Sequence, residues 1–291
     1  MRSLAVLLTL VCLCLGAAPA APAAAAEPTR VSVEVRGAGP DVLLIPGLAS
    51  PPAVWDDTAR RLAGHYRLHL VQVAGFAGLP AGPNADGPVL APVVEALHSY
   101  LADHKLAHVA VIGHSMGGLM GLMLARSHPE DVGRLMVVDA LPFSGVMLSP
   151  EATTAMTTPA AAQLRDNVAR MTPEAFAAAE GPAMARMSIT PEGQKTVLAW
   201  ALASDRKVIA QASYDDLTTD VRADLPAIRA PITVVYAYAP AMGPAAQIDT
   251  LYKTSYAPAP DKRLVRVDGS MHFVPLDQPE PFAKAVADFL K

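Results

Sequence analysis

The chain has 291 residues, 52% of them hydrophobic and 17% charged, with 23 basic against 27 acidic side chains and a formal net charge of −4. So much apolar material with so little charge excludes a disordered chain and is enough for one large, self-supporting domain. Lys and Arg are nowhere clustered, which argues against a nucleic-acid partner, because phosphate binding needs a basic footprint.

Residues 1–26 read as a secretory leader. Arg2 supplies the positive start, Leu4 to Gly16 form a short apolar run, and an Ala/Pro-rich stretch ends at Ala26 before Glu27. The run is too short to span a bilayer comfortably. No stable membrane insertion is therefore expected after its removal, and the mature protein is expected in the periplasm or outside the cell. Both cysteines, Cys12 and Cys14, fall in the leader, so the mature chain has neither a disulfide nor a thiol nucleophile.

From Glu27 onward, strand and helix patterns alternate. Strands are expected at 30–35, 41–45, 68–73, 109–112 and 135–138, with helices at 55–62, 89–104 and 119–126 between them. Short apolar strands separated by helices predict a mostly parallel α/β sheet. The rhythm then stops. Residues 142–228 offer no strand and predict helices near 160–170, 173–180 and 192–212. The pattern resumes with strands at 232–236 and 263–267 and helices at 244–256 and 281–290. This divides the mature chain into a core of 27–141 and 229–291 and a helical cap of 142–228, laid over the carboxyl edge of the sheet, where ligands bind in such folds.

Gly113-His-Ser-Met-Gly117 has the form Gly-x-Ser-x-Gly, directly after a strand and at the start of a helix. That context is the nucleophile elbow: glycines two before and two after Ser115 permit a turn too tight for side chains there. A hydroxyl needs a base, and of eight histidines only His272 follows the last strand, where a loop returns to the same edge. His114 should point away from the serine. Met116 N–H and Leu48 N–H, the latter in the loop Ile45-Pro46-Gly47-Leu48, are the candidate oxyanion donors. His104 and His108 have i,i+4 metal-ligand spacing but no accompanying carboxylate motif, so a solvated face is the expectation.

With these pieces in place, the chain resembles the α/β-hydrolase superfamily over nearly all of its mature length. The carrying segments are LLIPGL at 43–48, VAVIGHSMGGLMGLMLA at 109–125, RLMVVDA at 134–140, APITVVYA at 230–237 and VDGSMHFVPLDQPEPF at 267–282. The resemblance implies a serine esterase or lipase-like hydrolase with a helical cap and no metal or organic cofactor. Many members place the triad acid in the turn after the strand at 232–236, but this chain has Ala237 to Gly243 there, with no carboxylate. Other members place it after the preceding strand, where Asp139 stands. Asp139 is thus the favoured acid, Asp249 the second, and a Ser–His pair alone the third. Asp268 is read as a turn former.

The expected reaction is acyl transfer to water from a small-molecule ester or thioester. Met147, Met156, Met171, Met184 and Met187 of the cap suit a hydrophobic group on the substrate. The alternatives from the same fold are a non-catalytic binding protein, and transfer to another acceptor or perhydrolysis by the same serine.

Overall fold

The computed structural model describes residues 29–291; the leader read at 1–26, with both cysteines, lies outside the described residues. Seven strands form one sheet in the order β1-β3-β2-β4-β5-β6-β7. They are β1 (Val31–Gly37), β2 (Asp41–Ile45), β3 (Arg67–Val73), β4 (Val109–His114), β5 (Val132–Val138), β6 (Ile232–Tyr238) and β7 (Lys262–Asp268). β1 runs antiparallel to β3 at one edge, and every other pairing is parallel.

The central strands are apolar at nearly every position because both faces of the sheet are covered. Leu43, Ile45, Val111, Leu135, Val137 and Val234 face α2 (Leu90–Asp103) and α3 (Met116–Ser127). Their sequence neighbours Val42, Leu44, Ile112, Met136, Val138 and Val235 face the opposite core, built on Trp55, Phe282 and Phe289. That second layer contains α1 (Asp56–Leu62) and α10 (Pro279–Leu290). α8 (Ala245–Ser255) lies between β6 and β7 in sequence, and the four-residue α9 (Val274–Asp277) precedes α10.

Between β5 and β6 the chain forms four helices: α4 (Thr154–Arg170), α5 (Pro173–Met184), α6 (Pro191–Leu202) and α7 (Arg206–Thr218). The single helix expected at 192–212 is two. Asp205 breaks it by accepting hydrogen bonds from the N–H groups of Lys207 (2.9 Å) and Val208 (3.1 Å), which starts α7 as an N-cap. α4 also begins six residues earlier than the periodicity indicated. α4 packs along α7, with the Arg165 guanidinium 4.8 Å from the Tyr214 ring centre, and α5 packs on α6.

Two clasps fasten this cap to the core. At the α6–α7 junction, Asp205 N–H donates to Gly75 O (2.7 Å) and Ala77 N–H to Ser204 Oγ (2.7 Å), both in the glycine-rich loop after β3. At the α5–α6 junction, buried Asp277 accepts from Ser188 Oγ and from Ile189 N–H (3.2 Å), while its other oxygen takes Met271 N–H at 2.9 Å. Phe273 N–H donates to Met187 O at 3.0 Å beside it. Among the described residues no helix is long and apolar enough to cross a membrane.

Candidate active site

Ser115 sits between β4 and α3 at φ 53°, ψ −127°, a region an L-residue enters only under strain. The flanking glycines make this possible. A Cβ on Gly113 would lie 2.2 Å from Gly117 O, and one on Gly117 would lie 2.3 Å from Ile45 O and 2.6 Å from Pro46 O. The second contact has a further meaning: the loop after β2 lies directly on the first turn of α3. That packing brings the backbone at Leu48 and at Met116 to the same end of the sheet. Among the described residues neither N–H has an acceptor, so both are free to bind a developing oxyanion.

The loop after β7 brings His272 to this edge. Its Nδ1 donates to Asp139 Oδ2 at 2.7 Å. Asp139, at the end of β5, is also held at a positive φ of 48°. Its other oxygen, Oδ1, accepts from Ala237 N–H (2.9 Å) and from the buried Tyr252 hydroxyl (2.9 Å). Burial pushes the Asp139 carboxyl upward, but the His272 hydrogen bond and charge, with the Ala237 and Tyr252 donors, outweigh it and hold the group below the usual carboxylate range. The turn after β6, which lacks a carboxylate, instead supplies the N–H that supports one on the neighbouring strand.

His114 lines the smaller cavity beside Ser115, with its ring centre 4.7 Å from that of His272. It is fully buried, and its Nε2–H donates to His272 O at 2.9 Å. Burial, with the charge of His272 behind it, pushes its pKa down to about 3, so the ring stays neutral and serves as a strut under the His272 loop. Asp249 does not join the site. It accepts from Tyr236 Oη (2.9 Å) and Arg266 Nη1 (2.8 Å) on the outer side of β6 and β7. Asp268 pairs with Arg266 at 2.7 Å. His104 Nδ1 bonds to Tyr100 O, and no group of metal-ligating atoms forms around His104 and His108 among the described residues. A different trio, His98, His128 and Asp131, does gather. Its imidazoles stack at 3.7 Å with planes 8° apart, which directs their in-plane lone pairs side by side rather than at one ion.

Two cavities share Ser115, His272 and Met187. The smaller, about 260 Å³, runs past Leu48 under the cap and is walled by Val168, Met184, Val197 and Ile209, with Glu180 as its one acid. The larger, about 460 Å³, runs past Met116, Leu119, Met147 and Leu251 and contains Ser144, Asp216 and Arg186. Met156, in contrast, is 61% exposed and Met171 packs against the small cap core, and neither lines these two cavities. The Ser115 hydroxyl has no hydrogen-bond partner among the described residues, and it opens on both cavities with His272. Catalytic hydrogen bonds are commonly loose before substrate arrives. Tyr252, Ser144, Asp216 and Asp277 carry no motif. Only non-local packing reveals them.

The sequence profile of the Alpha/beta hydrolase family matches residues 42–285. A pimeloyl-[acyl-carrier protein] methyl ester esterase from Aromatoleum aromaticum is 29% identical over 87% of this chain and 98% of its own length. A protein of the same name from Aeromonas salmonicida is 38% identical, but the match spans only 38% of this chain and 42% of that relative. Among solved structures, a thermophilic esterase from Thermogutta terrifontis superposes with a TM-score of 0.74 at 21% identity, covering 89% of this chain and 92% of the other, a likeness of fold. The profile runs without interruption from β2, through the elbow and the cap, to α10, and the sheet carries its strands in the order and direction described above; the chain belongs to the alpha/beta hydrolase family.

Proposed function

We propose that the protein is an exported serine hydrolase that cleaves carboxylic esters or thioesters of hydrophobic small molecules through an acyl-serine intermediate. The observation that carries this reading is the 2.7 Å contact between His272 Nδ1 and Asp139 Oδ2, with His272 lining the same cavities that Ser115 opens on. A carboxylate accepting at Nδ1 keeps the proton there and leaves the Nε2 lone pair facing the reacting centre.

In this reading Nε2 takes the Ser115 Oγ proton as the oxygen attacks the substrate carbonyl carbon. Leu48 and Met116 N–H groups hold the oxyanion of the tetrahedral intermediate. Its collapse breaks the ester bond, and His272 returns the proton to the leaving alcohol. Water then gives a proton to Nε2 and attacks the acyl carbon. The second collapse releases the acid and restores the serine hydroxyl. The apolar walls of both cavities support hydrocarbon groups on either side of the scissile bond, and relatives named as methyl ester esterases support an ester as the reacting group. The leader at 1–26 supports export.

A fluorophosphonate probe tests the chemistry. Wild-type protein is expected to label and Ser115→Ala is not; an unlabelled wild type would overturn the proposal. p-Nitrophenyl esters from acetate to palmitate then rank chain lengths. Cell fractionation with N-terminal sequencing tests export, and a protein retaining residues 1–26 in the cytoplasm would refute that part.

A further inference from the structure

α7 carries two adjacent acids that meet different fates. Asp215 is fully partnered: its Oδ2 takes Val89 N–H (2.6 Å) and Leu90 N–H (3.1 Å), and its Oδ1 takes the Gln211 amide (2.7 Å). It ties the cap to the first turn of α2. Asp216, one residue on, turns toward the larger cavity. Its Oδ2 accepts from Ser144 Oγ at 2.9 Å, and its Oδ1 has no donor among the described residues. Burial pushes its carboxyl upward against the opposing pull of Ser144 and His272, which reduces the charge left without a partner in an apolar chamber.

Asp216 is half-buried, so its free oxygen is open to whatever occupies the cavity, and a ligand that strips water from it must supply a donor in its place. The walls around Asp216 include Leu141, Leu217 and Ile248, none of which can donate from its side chain. Arg186, exposed at the rim of the same cavity, makes no ion pair with Asp216 or with any other described residue. Glu180, the acid of the smaller cavity, differs: no described side chain holds it in one position, whereas Ser144 fixes Asp216.

We infer that Asp216, held by Ser144, is a specificity-determining subsite that accepts a hydrogen bond from a hydroxyl or amino group of the substrate. This rests on the serine-hydrolase reading and narrows it. The preferred ester is a hydrocarbon ester with one polar donor away from the scissile bond. A site built to hydrogen-bond a substrate group discriminates strongly against the analogue that lacks it, because that analogue covers the acceptor without pairing it.

The test compares methyl hexanoate with its 6-hydroxy and 6-amino analogues, and butyl butyrate with 4-hydroxybutyl butyrate, by pH-stat. The two sets cover both orientations of the ester, and the hydroxy and amino members separate the two donors. Wild type is expected to favour a donor-bearing member by tenfold or more in kcat/KM. Asp216→Leu is expected to bring that ratio within twofold while raising activity on the plain ester, and Asp216→Asn, which retains an acceptor oxygen, to keep much of the preference. Fluorophosphonate labelling of Ser115 at the wild-type rate in each variant checks that the catalytic apparatus is intact. Normal labelling with a wild-type ratio near one, or with the same ratio in Asp216→Leu, overturns the subsite alone. A wild type that fails to label overturns the hydrolase reading and the subsite with it.

Discussion

Replacing Asp139 by Asn asks whether this carboxylate orients His272, and the structure fixes which way the amide must turn. Two donors, Ala237 N–H and Tyr252 O–H, both point at Oδ1, so the amide oxygen has to stay there. The NH₂ group then occupies the Oδ2 position, 2.7 Å from His272 Nδ1. An NH₂ can only donate, so Nδ1 must present its lone pair, and the ring proton moves to Nε2. Nε2 then has no lone pair with which to take the serine proton. Such a tautomer reversal costs about 10⁴-fold in kcat, or about 5 kcal/mol of transition-state stabilisation. Asp249→Asn removes only a partly exposed pairing with Arg266 and a Tyr236 contact, and should change kcat/KM by about twofold or less. Steady-state hydrolysis of a p-nitrophenyl ester measures both, with thermal melts to establish that each variant is folded. If Asp139→Asn keeps activity within about tenfold of wild type, or Asp249→Asn loses more, Asp139 is not the orienting acid.

Three further outcomes follow from the local geometry. His114 is held neutral with a pKa near 3, whereas the unfolded chain takes up that proton near 6.5, so acid favours the unfolded state through the window between the two values. From pH 7 to 4.5 this costs about 3 kcal/mol. His114→Gln, which keeps a donor for His272 O, should lose roughly 6–12 °C less in Tm over that range than wild type, as read by melts at both pH values; equal losses would refute the assignment. Gly117→Ala should cost about 3 kcal/mol, because its methyl meets the backbone carbonyls of Ile45 and Pro46. Gly181→Ala, on α5 with no atom within 4 Å of the new Cβ, should gain about 0.5–1 kcal/mol. Chemical denaturation distinguishes the signs, and a neutral Gly117→Ala would show that the β2 loop yields.

The parallel strands were legible because burial on both faces writes them as apolar runs, as at Leu43–Ile45 and Leu135–Val138. Ser115 was legible for a local reason: only glycine fits two residues to either side of it. Asp139 was reached by noticing what the turn after β6 lacks. Tyr252 could not be read in this way, since a lone tyrosine on α8 looks like any core aromatic until the sheet carries Asp139 beneath it. The cap was legible as helical but not in its divisions. Ser204-Asp205 is a capping signal set in an Ala/Lys context that favours helix on both sides, and the hydrogen bonds that reveal it run to Gly75 and Ala77, far away in sequence. Asp216 stands in a polar stretch and Asp277 after the apolar run Phe273–Leu276, and the partners of both are decided by tertiary packing alone.

The Phe273 amide, hydrogen-bonded to Met187 O across the α5–α6 clasp, belongs to the residue directly after His272. Its proton can trade with solvent only when the roof and the imidazole's loop separate, so its deuterium uptake is a clock for that event. A roof pinned there and again at Gly75 has little freedom to swing as a rigid plate. Any change that loosens the pin at Phe273 also loosens the loop that carries His272, so the roof and the position of that imidazole cannot be altered separately.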